Sequence, residues 1–356
     1  MRTETAALFS PAPGTTYLDS ATYGLPPRPT IEALNEAASR WQDGTAHWRD
    51  DWDRQAEDCR RLAAGLLGGA PREVSLMPAV SVASGIVGTA VPRGGEVLLA
   101  EGDFTSIVYP FLAAQERGLM MVREVPLEKM ADAVESGTSL VAVSLVQSVD
   151  GRVADLEAIS SAARSVGARL YVDASQGLGV VPVNVNAMGI DYLACAAYKW
   201  LCCPRGVAFL YVREDLWSEP LSVTASWRGG DDPYGRYYGS PLALAEDAAR
   251  FDVSLAWHAW VGARASLEVL CRWDDTTRFQ MAREPVLRLA DAAGLEPPES
   301  SILSVPVKDG QRAGEALSAA GIKTSVRAGG AVRVSSHFYN SPDDGELVAD
   351  VLRPFL

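Results

Sequence analysis

Between residues 73 and 213 the chain alternates short apolar runs with Ala-rich stretches whose apolar positions recur at helical spacing. The runs 96–100, 140–146, 169–174 and 206–212 are rich in Val, Leu and Tyr and lack polar alternation, the pattern of strands buried on both faces. The stretch 153–166 between two of them reads as an amphipathic helix. Strand and helix alternating in this way predict an α/β fold, with a large domain built on a mostly parallel sheet sandwiched by helices.

The pattern breaks at 227–243, where Trp227-Arg-Gly-Gly-Asp-Asp-Pro-Tyr-Gly-Arg-Tyr-Tyr-Gly-Ser-Pro241 suits no regular element and reads as a long loop. Beyond it, 242–271 is helical in composition, 302–307 and 331–336 are strand-like, and 312–320 and 344–352 are helical. A smaller α+β C-terminal domain is expected. The predicted organisation is a large domain over 14–240 and a small one over 241–356, with 1–13 packing nearby.

Composition narrows the function classes. The chain has 356 residues, and its 45 acidic against 32 basic side chains give a net charge of −13, which disfavours nucleic acid and anionic membranes as partners. No apolar run approaches the roughly 20 residues that span a bilayer, and the N-terminus lacks a signal-peptide pattern, so a cytoplasmic protein is expected. Five cysteines without ligand spacing and three histidines argue against a disulfide framework and a metal centre. A Ser-His-Asp hydrolase would need a Gly-x-Ser-x-Gly elbow, which is missing.

The chemistry concentrates around one lysine. Of the four lysines, Lys199 alone sits in an apolar stretch, Tyr192-Leu-Ala-Cys-Ala-Ala-Tyr-Lys-Trp-Leu-Cys-Cys-Pro-Arg-Gly206. A desolvated lysine is a nucleophile suited to Schiff-base formation with a carbonyl compound, though a snorkelling lysine at a strand end has the same signature. Asp173, in Tyr171-Val-Asp-Ala-Ser-Gln-Gly-Leu-Gly179, falls at the carboxyl end of an apolar strand, where open α/β sheets bind ligands. A carboxylate there suits the protonated ring nitrogen of a pyridoxal phosphate electron sink; as an N-cap it would be ordinary.

The ordered set Asp173-x-x-Gln176, Asp191, Tyr198-Lys199 and Pro204-x-Gly206 resembles the class V aminotransferases of pyridoxal-phosphate fold type I, a group that includes cysteine desulfurases, isopenicillin N epimerase-like enzymes and C–S lyases. The resemblance runs from Tyr17-Leu-Asp-Ser-Ala-Thr-Tyr-Gly-Leu-Pro26 to Arg333-Val-Ser-Ser-His-Phe-Tyr-Asn340. It implies pyridoxal 5'-phosphate as cofactor, joined to Lys199, with Asp173 on the pyridinium nitrogen and Gln176 on the phenolic oxygen. Ser148 falls where the family has Asn or Thr near the same oxygen. Met77-Pro-Ala-Val-Ser-Val-Ala-Ser84 matches the turn that holds the phosphate, so Val80 and Ser81 would give main-chain amides and Ser81 its hydroxyl. Phe104 takes the place of the ring stacked on the pyridine, and Arg333 that of the clamp on the substrate carboxylate.

Two departures stand out. Where relatives carry Ser and His before the lysine, this chain has Ala196 and Tyr198; a phenol at 198 still offers a donor to phosphate. The nucleophilic cysteine that desulfurases carry shortly before the arginine has no counterpart in Ser325-Val-Arg-Ala-Gly-Gly-Ala-Val-Arg333, so an enzyme other than a typical cysteine desulfurase is expected. Cys195, Cys202 and Cys203 read as small buried residues, His337 as a packing residue, and Trp41, Trp48 and Trp52 as a packed stripe with His47 beside it as a candidate acid or base.

The resemblance implies a homodimer with shared active sites, the 227–240 loop crossing to the partner, acting on a small amino acid or cysteine-type conjugate. β-Elimination is the leading expectation, with epimerisation and transamination as alternatives. A non-catalytic regulator or partner subunit is the contrasting class, opposed by the joint presence of lysine, aspartate, glutamine and arginine.

Overall fold

The computed structural model describes residues 2–356; Met1, the first residue of the 1–13 segment, lies outside the described residues. The chain enters through α1 (Arg2–Leu8), β1 (Thr16–Tyr17), α2 (Arg28–Gln42), a wide π-type turn (Trp48–Asp53) and α3 (Gln55–Leu67). Strands and helices then alternate as β2 (Val74–Met77), α4 (Val80–Gly88), β3 (Glu96–Ala100), α5 (Thr105–Glu116), β4 (Met121–Val125), β5 (Thr138–Ser144), α6 (Leu156–Val166), β6 (Arg169–Asp173), β7 (Tyr192–Ala196) and β8 (Ala208–Val212).

The strands β2 to β8 form a seven-stranded sheet of order β2-β8-β7-β6-β5-β3-β4. The five strands from β7 to β4 are parallel, and β8 is antiparallel to both its neighbours. Side chains alternate between two cores, as the period of two in a strand requires. Val141, Val143, Val172 and Phe209 face α3 and α6, whereas Leu140, Ala142, Tyr171 and Leu210 face α4 and α5. Both faces are covered, so the polar positions that would mark a half-exposed sheet are missing from these strands.

The C-terminal part continues as α7 (Trp257–Leu270), α8 (Asp275–Ala293), β9 (Ile302–Val305), α9 (Gly310–Ala319), β10 (Ile322–Lys323), β11 (Ser325–Val326), β12 (Val332–Ser335) and α10 (Asp343–Leu352). Strands β11, β12 and β9 form an antiparallel sheet over a third core of Leu18, Val286, Leu303, Val332 and Val348. Strand β1 pairs with β10, and Asp19 bridges to Ser335, so the N-terminal segment is stitched to this unit before it crosses to the large sheet.

The helix expected over 242–271 begins only at Trp257. Upstream of it Asp252 is buried and accepts from Arg60 Nη2 (2.6 Å), Ser75 Oγ (2.9 Å) and the Leu76 amide (2.8 Å), tertiary bonds that hold the chain out of helical geometry. The 227–243 loop is irregular beyond a single turn at Trp227–Gly229, anchored at its root by Arg228 Nη1 on Asp53 (2.8 Å) and exposed at Tyr238 and Leu242. Trp48 and Trp52 pack on Trp257 of α7, and Trp52 and the exposed Trp41 both lie against His258, so the three gather around the start of α7 and do not line one helix face. The reason is the π-type turn, which places Trp48 and Trp52 outside the helix that carries Trp41. Among the described residues no helix is long and apolar enough to cross a membrane.

Candidate active site

The carboxyl ends of the parallel strands and the start of α4 share one edge of the sheet. The cleft there is lined by Val80, Ser81, Phe104, Asp173, Tyr198 and Lys199, six of the residues that the sequence singles out. Lys199 sits in the turn after β7, only 5% exposed. The Gly24 amide donates to Tyr198 O (2.9 Å), and a Cβ at Gly24 would lie 2.0 Å from Lys199 O, so only glycine lets the N-terminal segment press against this turn.

Among the described residues Lys199 Nζ has no hydrogen-bond partner; it stands 5.1 Å from the centre of the Phe104 ring. Burial pulls its pKa below the usual lysine range, with the Asp173 charge opposing. An amine in that state sheds its proton readily and acts as a nucleophile. Asp173 ends β6, buried, with Oδ1 accepting the Ser175 amide at 2.8 Å. Burial pushes its pKa up, against the pull of Ser175 and Lys199. Such a carboxyl gains most from a cation placed beside it.

Phe104 caps α5, and its amide donates to Asp103 Oδ1 at 2.6 Å. Asp103 in turn accepts from the Ser144 amide (2.8 Å) at the end of β5, so the backbone that carries the half-exposed Phe104 ring is tied to the sheet. At the start of α4 the Val82 and Ala83 amides turn back to Ala79 O, while the amides of Val80 and Ser81 have no backbone partner among the described residues. Unpaired amides at a helix N-terminus bind anions. Tyr198 lies beside them, with the Arg205 guanidinium 5.1 Å from its ring centre.

This donor set fits pyridoxal phosphate. The cleft offers a free buried amine, a buried carboxyl for a ring N–H, an aromatic face, and amides with a guanidinium for a dianionic phosphate.

Gln176, Ser148 and Arg333 form a second, linked group beyond that lining. Gln176 Nε2 donates to Ser148 Oγ (2.9 Å) and Ala21 O (3.1 Å), and its Oε1 accepts from Trp200 Nε1 (2.9 Å). Arg333, 1% exposed, donates through Nη1 to Ser148 O (2.7 Å) and Oγ (3.2 Å) and through Nη2 to Thr22 Oγ1 (2.9 Å) and Asp19 Oδ1 (3.2 Å). The arginine read as a substrate clamp is therefore held in an ion pair, leaving Nε buried without a partner.

The structure also brings in residues that the motifs passed over. Arg205 and Ser175 line the cleft; the first is the unspecified middle position of the Pro204-x-Gly206 motif. Arg327 adds a guanidinium whose field reaches both Lys199 and Asp19. His47 lies outside the cleft lining, exposed, with Nδ1 2.9 Å from Asp50 Oδ2. Cys195, Cys202 and Cys203 are buried, and burial raises each thiol pKa.

Sheet, cleft and donor set together define a pyridoxal-phosphate-dependent enzyme of fold type I. The chain belongs to the class V aminotransferase family, whose model matches residues 16–332. It is 28% identical to the uncharacterized aminotransferase YcbU of Bacillus subtilis (strain 168), covering 88% of each chain. It is likewise 28% identical to a probable cysteine desulfurase of Aeropyrum pernix, over 96% of this chain and 95% of the relative. The solved complex of the cystine C–S lyase C-DES with cysteine persulfide superposes with a TM-score of 0.86 at 21% identity, covering 96% and 98% of the two chains, a likeness of fold.

The expectation that the chain stands apart from typical cysteine desulfurases is overturned. Relatives aligned over 94% and 96% of its length are named probable cysteine desulfurases. The expectation rested on one short hairpin, and loops of that kind vary in length and sequence within a fold.

Proposed function

We propose that the protein cleaves the C–S bond of a cysteine-type amino acid by β-elimination, with pyridoxal phosphate in the Lys199 cleft. The observation that carries this reading is the buried, unpartnered Lys199 amine between the Asp173 carboxyl and the Phe104 ring. A structural neighbour named as a cystine C–S lyase supports the choice of reaction.

Bound there, pyridoxal phosphate supplies an electron sink for charge developing at Cα. Lys199 would hold it and Asp173 would keep its ring nitrogen protonated. Val80, Ser81 and Arg205 would hold the phosphate, and Phe104 would cover one face. Lys199 Nζ takes the Cα proton of the bound amino acid; burial lowers its pKa, which favours the neutral amine that such a base requires. With that proton removed, the Cβ–S bond of the substrate would break, sulfur leaving with the bonding electrons, and hydrolysis of the three-carbon remainder would yield pyruvate and ammonia. Arg333, whose Nη atoms rest on Ser148, Thr22 and Asp19, would orient the substrate carboxylate by exchanging part of its pairing with Asp19 for it. The exposed tip of the 227–243 loop is the segment we expect to reach a second copy of the chain.

Incubating the loaded enzyme with cystine and a panel of cysteine S-conjugates in deuterated water tests the reading. Pyruvate and ammonia in equal amounts support it. Alanine with sulfur retained on the protein would assign desulfuration, and inversion at Cα without pyruvate would assign epimerisation; either overturns it.

A further inference from the structure

Trp200 follows Lys199 in the chain but is buried away from the cleft lining, 1% exposed. An indole N–H only donates, so its 2.9 Å contact fixes which end of the Gln176 amide is oxygen. Nε2 must then face the other way, toward Ala21 O and Ser148 Oγ. Ser148 Oγ also receives Arg333 Nη1. A hydroxyl has two lone pairs and one proton. With two donors on its lone pairs, Ser148 has only its proton left to offer, and among the described residues nothing accepts it.

Trp200 is itself held from behind. His337 Nδ1 accepts the Phe338 amide (2.9 Å), which puts the ring proton on Nε2, and Nε2 donates to Trp200 O at 2.9 Å. The two rings stack at 5.5 Å and 28°. Burial keeps the imidazole neutral by pushing its pKa down to about 3.

We propose that Trp200 is a positioning residue: acting through Gln176, it turns the Ser148 hydroxyl into a fixed donor for the anionic phenolic oxygen of the cofactor, with Arg333 Nη1 donating to the hydroxyl's other lone pair. The inference rests on the proposed pyridoxal phosphate site and adds a residue that does not touch the cofactor. A donor on the phenolic oxygen withdraws negative charge from the neighbouring nitrogen linked to Lys199. Its removal therefore makes that nitrogen hold its proton more tightly. The groups that act on Lys199 by charge, Asp173, Cys195, Arg327 and Arg205, are the same in every variant below.

The test is a pH titration of the visible absorption of cofactor-loaded protein. Ser148→Ala should raise the midpoint by about one unit, and Trp200→Phe should raise it by about half as much. In the Ser148→Ala background Trp200→Phe should add nothing, because its effect passes through the missing hydroxyl. A wild-type midpoint in Trp200→Phe, or a full further shift in the double variant, overturns the inference while leaving the cofactor site intact. Should Trp200→Phe fail to fold, Gln176→Met, which removes the same amide donor, must raise the midpoint or the inference falls. Wild-type protein with no borohydride-sensitive visible band would overturn the proposed function and this inference together.

Discussion

Replacing Arg333 by Ala removes one partner of a buried ion pair, and the cost follows from what it leaves behind. Asp19, with a side chain 15% exposed, loses its contact with Nη2, and Ser148 O loses its 2.7 Å donor. Breaking a buried pair from one side costs about 3 to 5 kcal/mol. Asp19 keeps hydrogen bonds from Ser325 (2.7 Å) and Thr22 (2.9 Å) and the field of Arg327, which places the expected loss near about 3 kcal/mol. Burial already raises the Asp19 pKa above 3.8 in the folded protein. Without Arg333 it rises further, so the penalty is carried by the ionised form, is full above the folded pKa and fades as pH falls through it. Urea unfolding of apo-protein should show a larger loss at about pH 8 than at about pH 5, and Asp19→Asn in the Arg333→Ala background should restore most of it. A loss that is independent of pH and unrelieved by Asp19→Asn would show that the uncovered Asp19 charge is not the source of the penalty. The same variant should also raise the KM for amino acids more than it weakens cofactor binding.

Asp173→Asn should slow Cα proton exchange by about a hundredfold or more while pyridoxal phosphate still binds. Because burial raises the Asp173 pKa, its ionised form destabilises apo-protein above that pKa, so the apo variant should melt no lower than wild type at neutral pH; a lower melting point with unchanged exchange would contradict both parts. His337 is held down at about 3, against 6.5 for a free imidazole. Below 6.5 the unfolded chain takes up a proton that the folded protein refuses, so this residue should cost about 1.4 kcal/mol per pH unit on acidification. His337→Gln should flatten that slope in urea titrations, and an unchanged slope would show that the imidazole titrates freely.

The four apolar runs were legible because both faces of each strand are buried, as at Val172 and Phe209. Strand β4 was not, since it lies at the sheet edge with Met121 exposed and Arg123 on its surface paired to Glu96 (2.8 Å). The helical composition of 242–256 misled because Asp252 is claimed by Arg60, Ser75 and Leu76, residues nearly 180 positions away and more that no local pattern connects. Lys199 and Asp173 carry local signatures, a lysine in an apolar stretch and a carboxylate at a strand end, whereas Phe104 and Ser81 could be placed beside them only through the family resemblance. The Trp200–Gln176–Ser148–Arg333 chain could not, because each link is a side-chain contact between segments far apart in sequence. Asp19 as the partner of Arg333 was hidden for the same reason.

The proposed chemistry stands on Lys199 as the residue that holds the cofactor. The protein has only Lys129, Lys199, Lys308 and Lys323, which makes the site easy to map. Loading with pyridoxal phosphate, reducing with borohydride and mapping peptides by mass should put the pyridoxyl group on Lys199 alone, with no adduct in Lys199→Ala. An adduct on another lysine, or undiminished labelling and turnover in Lys199→Ala, would contradict the account.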